Sequence, residues 1–149
     1  MYPVLLNLSN KSVLVVGGGK VASRKIKALL ENNAKITVIS PELNQAIDRN
    51  QIHWIPRKFK LEDGKNFDLI FACTDDPRLN SAIYERAEVG QFVNNASDKE
   101  HSDFYNMKVI ESNDYLFSVS SLGKDYRNTK KIGNNLKHWL DHHFNQLLK

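Results

Sequence analysis

Four apolar residues, Val13-Leu14-Val15-Val16, run directly into Gly17-Gly18-Gly19, and this junction constrains the fold more than any other segment. After the glycines, Val21, Ala22, Ile26, Leu29 and Leu30 fall at helical spacing. Asn32-Asn33 closes that helix, because asparagine tolerates the left-handed conformation in which helices stop. Lys35–Ile39 is then a second strand, rich in β-branched residues and ending at Ser40-Pro41. A strand, a glycine turn, a helix and a parallel strand make a βαβ unit with a right-handed crossover.

The alternation continues. Residues 52–55 form a weaker strand before Pro56, and residues 67–73 form one almost continuous in apolar side chains, as suits a strand buried on both faces. Pro77 opens a helix in which Leu79, Ala82, Ile83 and Ala87 share a face, and residues 91–95 read as a fifth strand. Residues 96–106 are polar and read as a surface loop. Residues 108–111 and 115–120 look like two strands joined by the turn formers Ser112-Asn113-Asp114. From about Thr129 the chain becomes helical, with Ile132, Leu136, Trp139, Leu140, Phe144 and Leu147 in an apolar stripe. The fold class is α/β: a Rossmann-like parallel sheet over residues 1–107, then a small β segment and a C-terminal amphipathic helix over residues 108–149.

Composition narrows the function classes. No apolar run approaches the roughly 20 residues that cross a bilayer, and the N-terminal residues lack the pattern of a signal peptide. Cys73 is the single cysteine in 149 residues, which excludes an internal disulfide and suits a reducing cytoplasm. The net charge of +4 comes from scattered lysines and arginines without interleaved aromatics, so neither nucleic acid nor membrane is expected as a partner. A phosphate or polycarboxylate ligand suits this charge.

Gly17-x-Gly19-x-x-Ala22 between strand and helix is the dinucleotide fingerprint in its required context. The first glycine permits the tight turn, the second admits a pyrophosphate, and Ala22 lets helix and strand pack closely. The backbone from Gly17 through Gly18, Gly19, Lys20 and Val21 to Ala22 would meet the phosphates. An acid is expected at the end of the second strand to hold the ribose. Ser40, Pro41 and Glu42 stand there instead, and NAD and NADP both fit these residues. Thr74 and Asp75 end the fourth strand, beside Asp76-Pro77, which caps the next helix. Cys73 reads as core. His138-x-x-x-His142 reads as an exposed helix face, and no metal site is expected.

The run Gly17-Gly18-Gly19-Lys20-Val21-Ala22-Ser23-Arg24-Lys25, with Tyr2-Pro3-Val4, Ser40-Pro41-Glu42, Cys73-Thr74-Asp75-Asp76 and Val93-Asn94 ten residues before Phe104, resembles the precorrin-2 dehydrogenases. These are the dehydrogenase modules of siroheme synthases, and the resemblance covers roughly residues 2–125. It implies NAD as cofactor, precorrin-2 as substrate, sirohydrochlorin as product and a homodimer. It also places Asn94 and Ser120 near the substrate, and the family's catalytic Asp at Ser97. Because a serine stands there, Asp98 is the first choice for the acid and Asp103 the next. Ser120-Ser121-x-Gly123-Lys124 resembles the family's Ser-Thr-Gly-Gly-Lys-Ser-Pro turn, from which Leu122, Asp125 and Tyr126 depart, and a turn at a strand end is the equal alternative. Besides the dehydrogenase, two classes fit: a nucleotide- or tetrapyrrole-binding module without turnover, and a bifunctional dehydrogenase and ferrochelatase.

Overall fold

The computed structural model describes residues 1–147. They form two compact units: Tyr2–Phe104, and Tyr105 onward together with Met1.

The first unit is built on β1 (Ser12–Val16), β2 (Lys35–Ile39), β3 (His53–Ile55), β4 (Leu69–Ala72) and β5 (Phe92–Asn95), all parallel in the order β3-β2-β1-β4-β5. Val13 pairs with Ile36 on one side and with Leu69 on the other, so β1 is central. Its four apolar residues are buried on both faces because each face carries a helix. Val13 and Val15 pack with Ala22, Ile26 and Leu29 of α1 (Lys20–Leu30). Leu14 and Val16 pack with Ile70, Val93 and Ile83 of α2 (Pro77–Glu85). Each such side chain contributes roughly 1.5–3 kcal/mol relative to exposure. Asn33, at φ 56°, lies in the turn that follows α1, and Asp76 caps α2 by accepting the Arg78 and Leu79 N–H groups with Pro77 beside it.

β4 is shorter than the apolar run at 67–73. Asp68 leaves the strand pattern because its carboxylate holds the Ser12 N–H, the Ser12 hydroxyl and Lys11. The polar segment after β5 is not simply a surface loop. The Asn95 N–H donates to the Ser102 hydroxyl, Val93 exchanges hydrogen bonds with Asp103, and the Asn94 amide donates to the Phe104 carbonyl. Side chains here seal the open edge of the sheet in place of a sixth strand.

In the second unit, β6 (Lys108–Ser112) and β7 (Tyr115–Val119) form an antiparallel hairpin that turns at Asn113, φ 51°. Ile110, Phe117 and Val119 pack on Leu136, Leu140 and Phe144, the last at the end of α3 (Tyr126–His143). This helix begins three residues before the expected Thr129, because the Asp125 carboxylate accepts the Asn128 N–H and caps it. Of the expected stripe, Ile132, Trp139 and Leu147 are exposed.

Candidate active site

All five strands of the first unit deliver their carboxyl ends to one edge of the sheet. The chain leaves β1 for β2 on one side and β4 for β5 on the other, so the loops after β1 and β4 flank the topological switch point.

The three glycines of the first loop are not equivalent. Gly17 has φ +104°, and a Cβ there would stand 2.6 Å from the Cys73 carbonyl oxygen. A Cβ on Gly18 would stand 2.0 Å from the Glu42 carbonyl oxygen and 2.6 Å from Ser40 Oγ. Around Gly19 a Cβ would meet nothing within 4 Å. The fold requires glycine at 17 and 18; at 19 it leaves open space before the start of α1. That helix has no side-chain cap and no acid in its first turn, and its first backbone bond is from the Ser23 N–H to the Gly19 carbonyl. The Lys20, Val21 and Ala22 N–H groups therefore lack helical acceptors, and they lie beside the space that Gly19 leaves clear. A pyrophosphate fits this cradle. Ala22 itself is core, while Lys20 and Val21 are exposed.

The segment after β2 folds over Gly18. Ser40 is 3% exposed; its hydroxyl donates to the Glu42 carbonyl, its own carbonyl accepts the Trp54 indole N–H, and the Asn44 N–H donates to the Gly18 carbonyl. Pro41 and Glu42 are exposed beside it. Ser40 thus shapes the glycine turn with its hydroxyl proton.

Beyond β4, Asp75 is exposed and Thr74 is held by Asn80 of α2. The Thr74 N–H and hydroxyl donate to Asn80 Oδ1 at 3.1 and 2.7 Å, and Asn80 Nδ2 donates to the Thr74 carbonyl and to Ser97 Oγ, both at 3.1 Å. Asn80 did not emerge from the sequence, where helical periodicity draws attention to apolar positions; an asparagine one turn after an Asp-Pro cap was the available signal.

Ser97 lies within reach of this amide, and its hydroxyl donates to Asn95 Oδ1 at 2.7 Å. Asp98 accepts the Glu100 N–H and meets His101 Nδ1 at 2.7 Å, and the His101 ring stands edge-on to Tyr84. The His101 contact first, and the Glu100 N–H next, hold the Asp98 carboxyl below the usual carboxylate range. Asp103 holds the Val93 N–H at 2.7 Å. Asn94 Oδ1 and Asn95 Nδ2 are buried and find no partner among the described residues. Ser97 and Thr74 therefore meet through one amide, whereas Asp98 and Asp103 make separate local contacts.

In the second unit, Ser120 accepts the Leu122 N–H in the turn before α3. His138 and His142 stand one turn apart on an exposed face of α3, and among the described residues no group of three or more potential ligands gathers for a metal.

Comparison with known proteins agrees with this geometry. Residues 4–107 match the family described as "Putative NAD(P)-binding". A precorrin-2 dehydrogenase of Bacillus subtilis (strain 168) is 32% identical over 97% of this chain and 91% of its own length. The chain belongs to the precorrin-2 dehydrogenase family. A solved structure titled SirC, precorrin-2 dehydrogenase, superposes with a TM-score of 0.85 at 31% identity, covering 98% of this chain and 74% of that one. A siroheme synthase of Mannheimia succiniciproducens is 35% identical over 82% of this chain, which spans 27% of that relative's length. Precorrin-2 dehydrogenases and siroheme synthases thus share the unit described here.

Proposed function

We propose that this chain oxidises precorrin-2 to sirohydrochlorin, with NAD⁺ as the hydride acceptor, in siroheme biosynthesis. The observation that carries the reading is the open space at Gly19 beside the uncapped N-terminus of α1, in a chain that matches a precorrin-2 dehydrogenase over nearly its whole length. The nicotinamide, when bound, supplies the hydride acceptor. The residues of this chain bind and orient. The backbone of Gly17, Gly18, Gly19, Lys20, Val21 and Ala22 holds the pyrophosphate; Ser40, Pro41 and Glu42 meet the ribose; Thr74 and Asp75 line the cofactor from β4. Asn94 and Ser120 are assigned to the substrate.

The reaction removes a hydride and a proton together. Asp98, whose carboxylate meets His101, stabilises the positive charge that develops on the substrate and serves as the acid–base residue. Ser97 and Asp103 are the neighbouring alternatives: the Ser97 hydroxyl donates to Asn95, and Asp103 accepts the Val93 N–H through one carboxylate oxygen. A homodimer formed through the hairpin, whose Val109, Tyr115 and Leu116 are exposed, completes the proposal. The cytoplasm is the compartment, supported by the buried free thiol of Cys73. Anaerobic incubation with precorrin-2 and NAD⁺, followed by NADH absorbance, tests the reading; absence of NADH formation would overturn it. Tight NAD⁺ binding with no turnover would instead favour a binding module, a reading that rests on serine at position 97.

A further inference from the structure

Asn80 sits on the fourth residue of α2 and is 0% exposed. A helix gains little from asparagine at such a place, and burying an amide is costly unless its groups are paired. Here the pairing is complete. An asparagine side chain offers two acceptor lone pairs and two N–H donors, and all four are used: two on the Thr74 N–H and hydroxyl, one on the Thr74 carbonyl, one on Ser97 Oγ. Three of the four bonds fix both backbone polar groups and the side chain of one residue. The fourth crosses to the loop after β5, where Ser97 is in turn bound to Asn95. Packing of α2 does not need the amide, since Ile83 and Leu79 bury its apolar face.

We propose that Asn80 is a positioning residue that locks the end of β4 to the loop after β5, so that Thr74 and Ser97 respond as one body to the bound dinucleotide. The Asn80 amide is buried with all four of its hydrogen-bonding positions used, and such a fully paired link is stiff and transmits a change at one end to the other. The proposal rests on the dehydrogenase reading for its turnover consequence only; its effect on NAD⁺ affinity stands apart from the identity of the substrate.

The test is a pair of double-mutant cycles read by NAD⁺ titration, with thermal unfolding as the control for folding. With Asn80 in place, Thr74→Val and Ser97→Ala each weaken NAD⁺ binding, and their combined effect departs from the product of the two by about fivefold, within the range seen for residues that share partners. In Asn80→Ala, NAD⁺ affinity falls about tenfold and Ser97→Ala adds nothing further. A structural role confined to stability would lower the unfolding temperature and leave NAD⁺ affinity of the folded fraction unchanged. Independence of Thr74→Val and Ser97→Ala would overturn the proposal even where Asn80→Ala fails to fold. So would a folded Asn80→Ala that binds NAD⁺ as the parent does. In precorrin-2 assays, Asn80→Ala should lower kcat as well as raise the KM for NAD⁺; a parent protein with no turnover refutes the function and leaves the affinity cycles intact as the test of Asn80.

Discussion

Glycines 17, 18 and 19 look alike on paper and are held for different reasons. A side chain at 18 collides with backbone at 2.0 Å, so Gly18→Ala should lower the unfolding temperature sharply. A side chain at 19 collides with nothing in the protein. Gly19→Val should therefore stay folded and lose NAD⁺ binding in a titration, and unchanged affinity would show that no phosphate approaches there. The spacing of the motif was legible in the sequence, but not which glycine the fold requires and which faces open space, because that depends on how the segment after β2 crosses Gly18. Asp98→Asn should lower kcat by about 10²–10⁴-fold with NAD⁺ affinity nearly unchanged; full rate in this variant, with loss in Asp103→Asn, would move the assignment. Cys73 makes a contrasting case. Burial pushes its thiol up to about 11, with Lys25 opposing, so the native protein should resist alkylation near neutral pH and react once unfolded.

Elements were legible where one local signal dominated. Lys35–Ile39 is a β-branched run with a proline just past its end, and the strand occupies those residues. Helix α3 started earlier than its apolar stripe, because its beginning is set by the Asp125 cap rather than by hydrophobic period. The segment after β5 was the least legible. Ser102, Asp103 and the Asn94 amide imitate a strand's hydrogen bonds with side chains, and a polar run carries no periodicity that announces this. Removing the cap of α2 by Asp76→Ala should cost about 1 kcal/mol in denaturant unfolding. Deleting α3 from Ile132 onward should expose Ile110 and Phe117 and bring aggregation, seen by light scattering; a monodisperse, fully active truncation would contradict the packing described.

At the scale of the whole molecule, one half-buried acid ties distant parts of the first unit together. Asp68 joins Lys11 and Ser12 to the start of β4, and the Lys11 ammonium first, then the Ser12 N–H and hydroxyl, hold its carboxyl down to about 2. An unfolded aspartate titrates near 3.9, so the stabilisation is fully present above that pH and is lost as pH falls toward about 2. Thermal unfolding of the native protein should fall over that window more steeply than that of Asp68→Asn; identical profiles would remove the ion pair from the account. The same contact spans 56 residues of chain. β1 takes one neighbour from β2 soon after it and the other from β4 much later, so a chain emerging from the ribosome presents a strongly apolar strand with half its backbone ladder unfilled until Leu69–Ala72 has cleared the exit tunnel. Synthesis itself thus passes through an interval in which this protein offers an aggregation-prone edge, and nascent chains arrested before β4 should be the ones that chaperones retain.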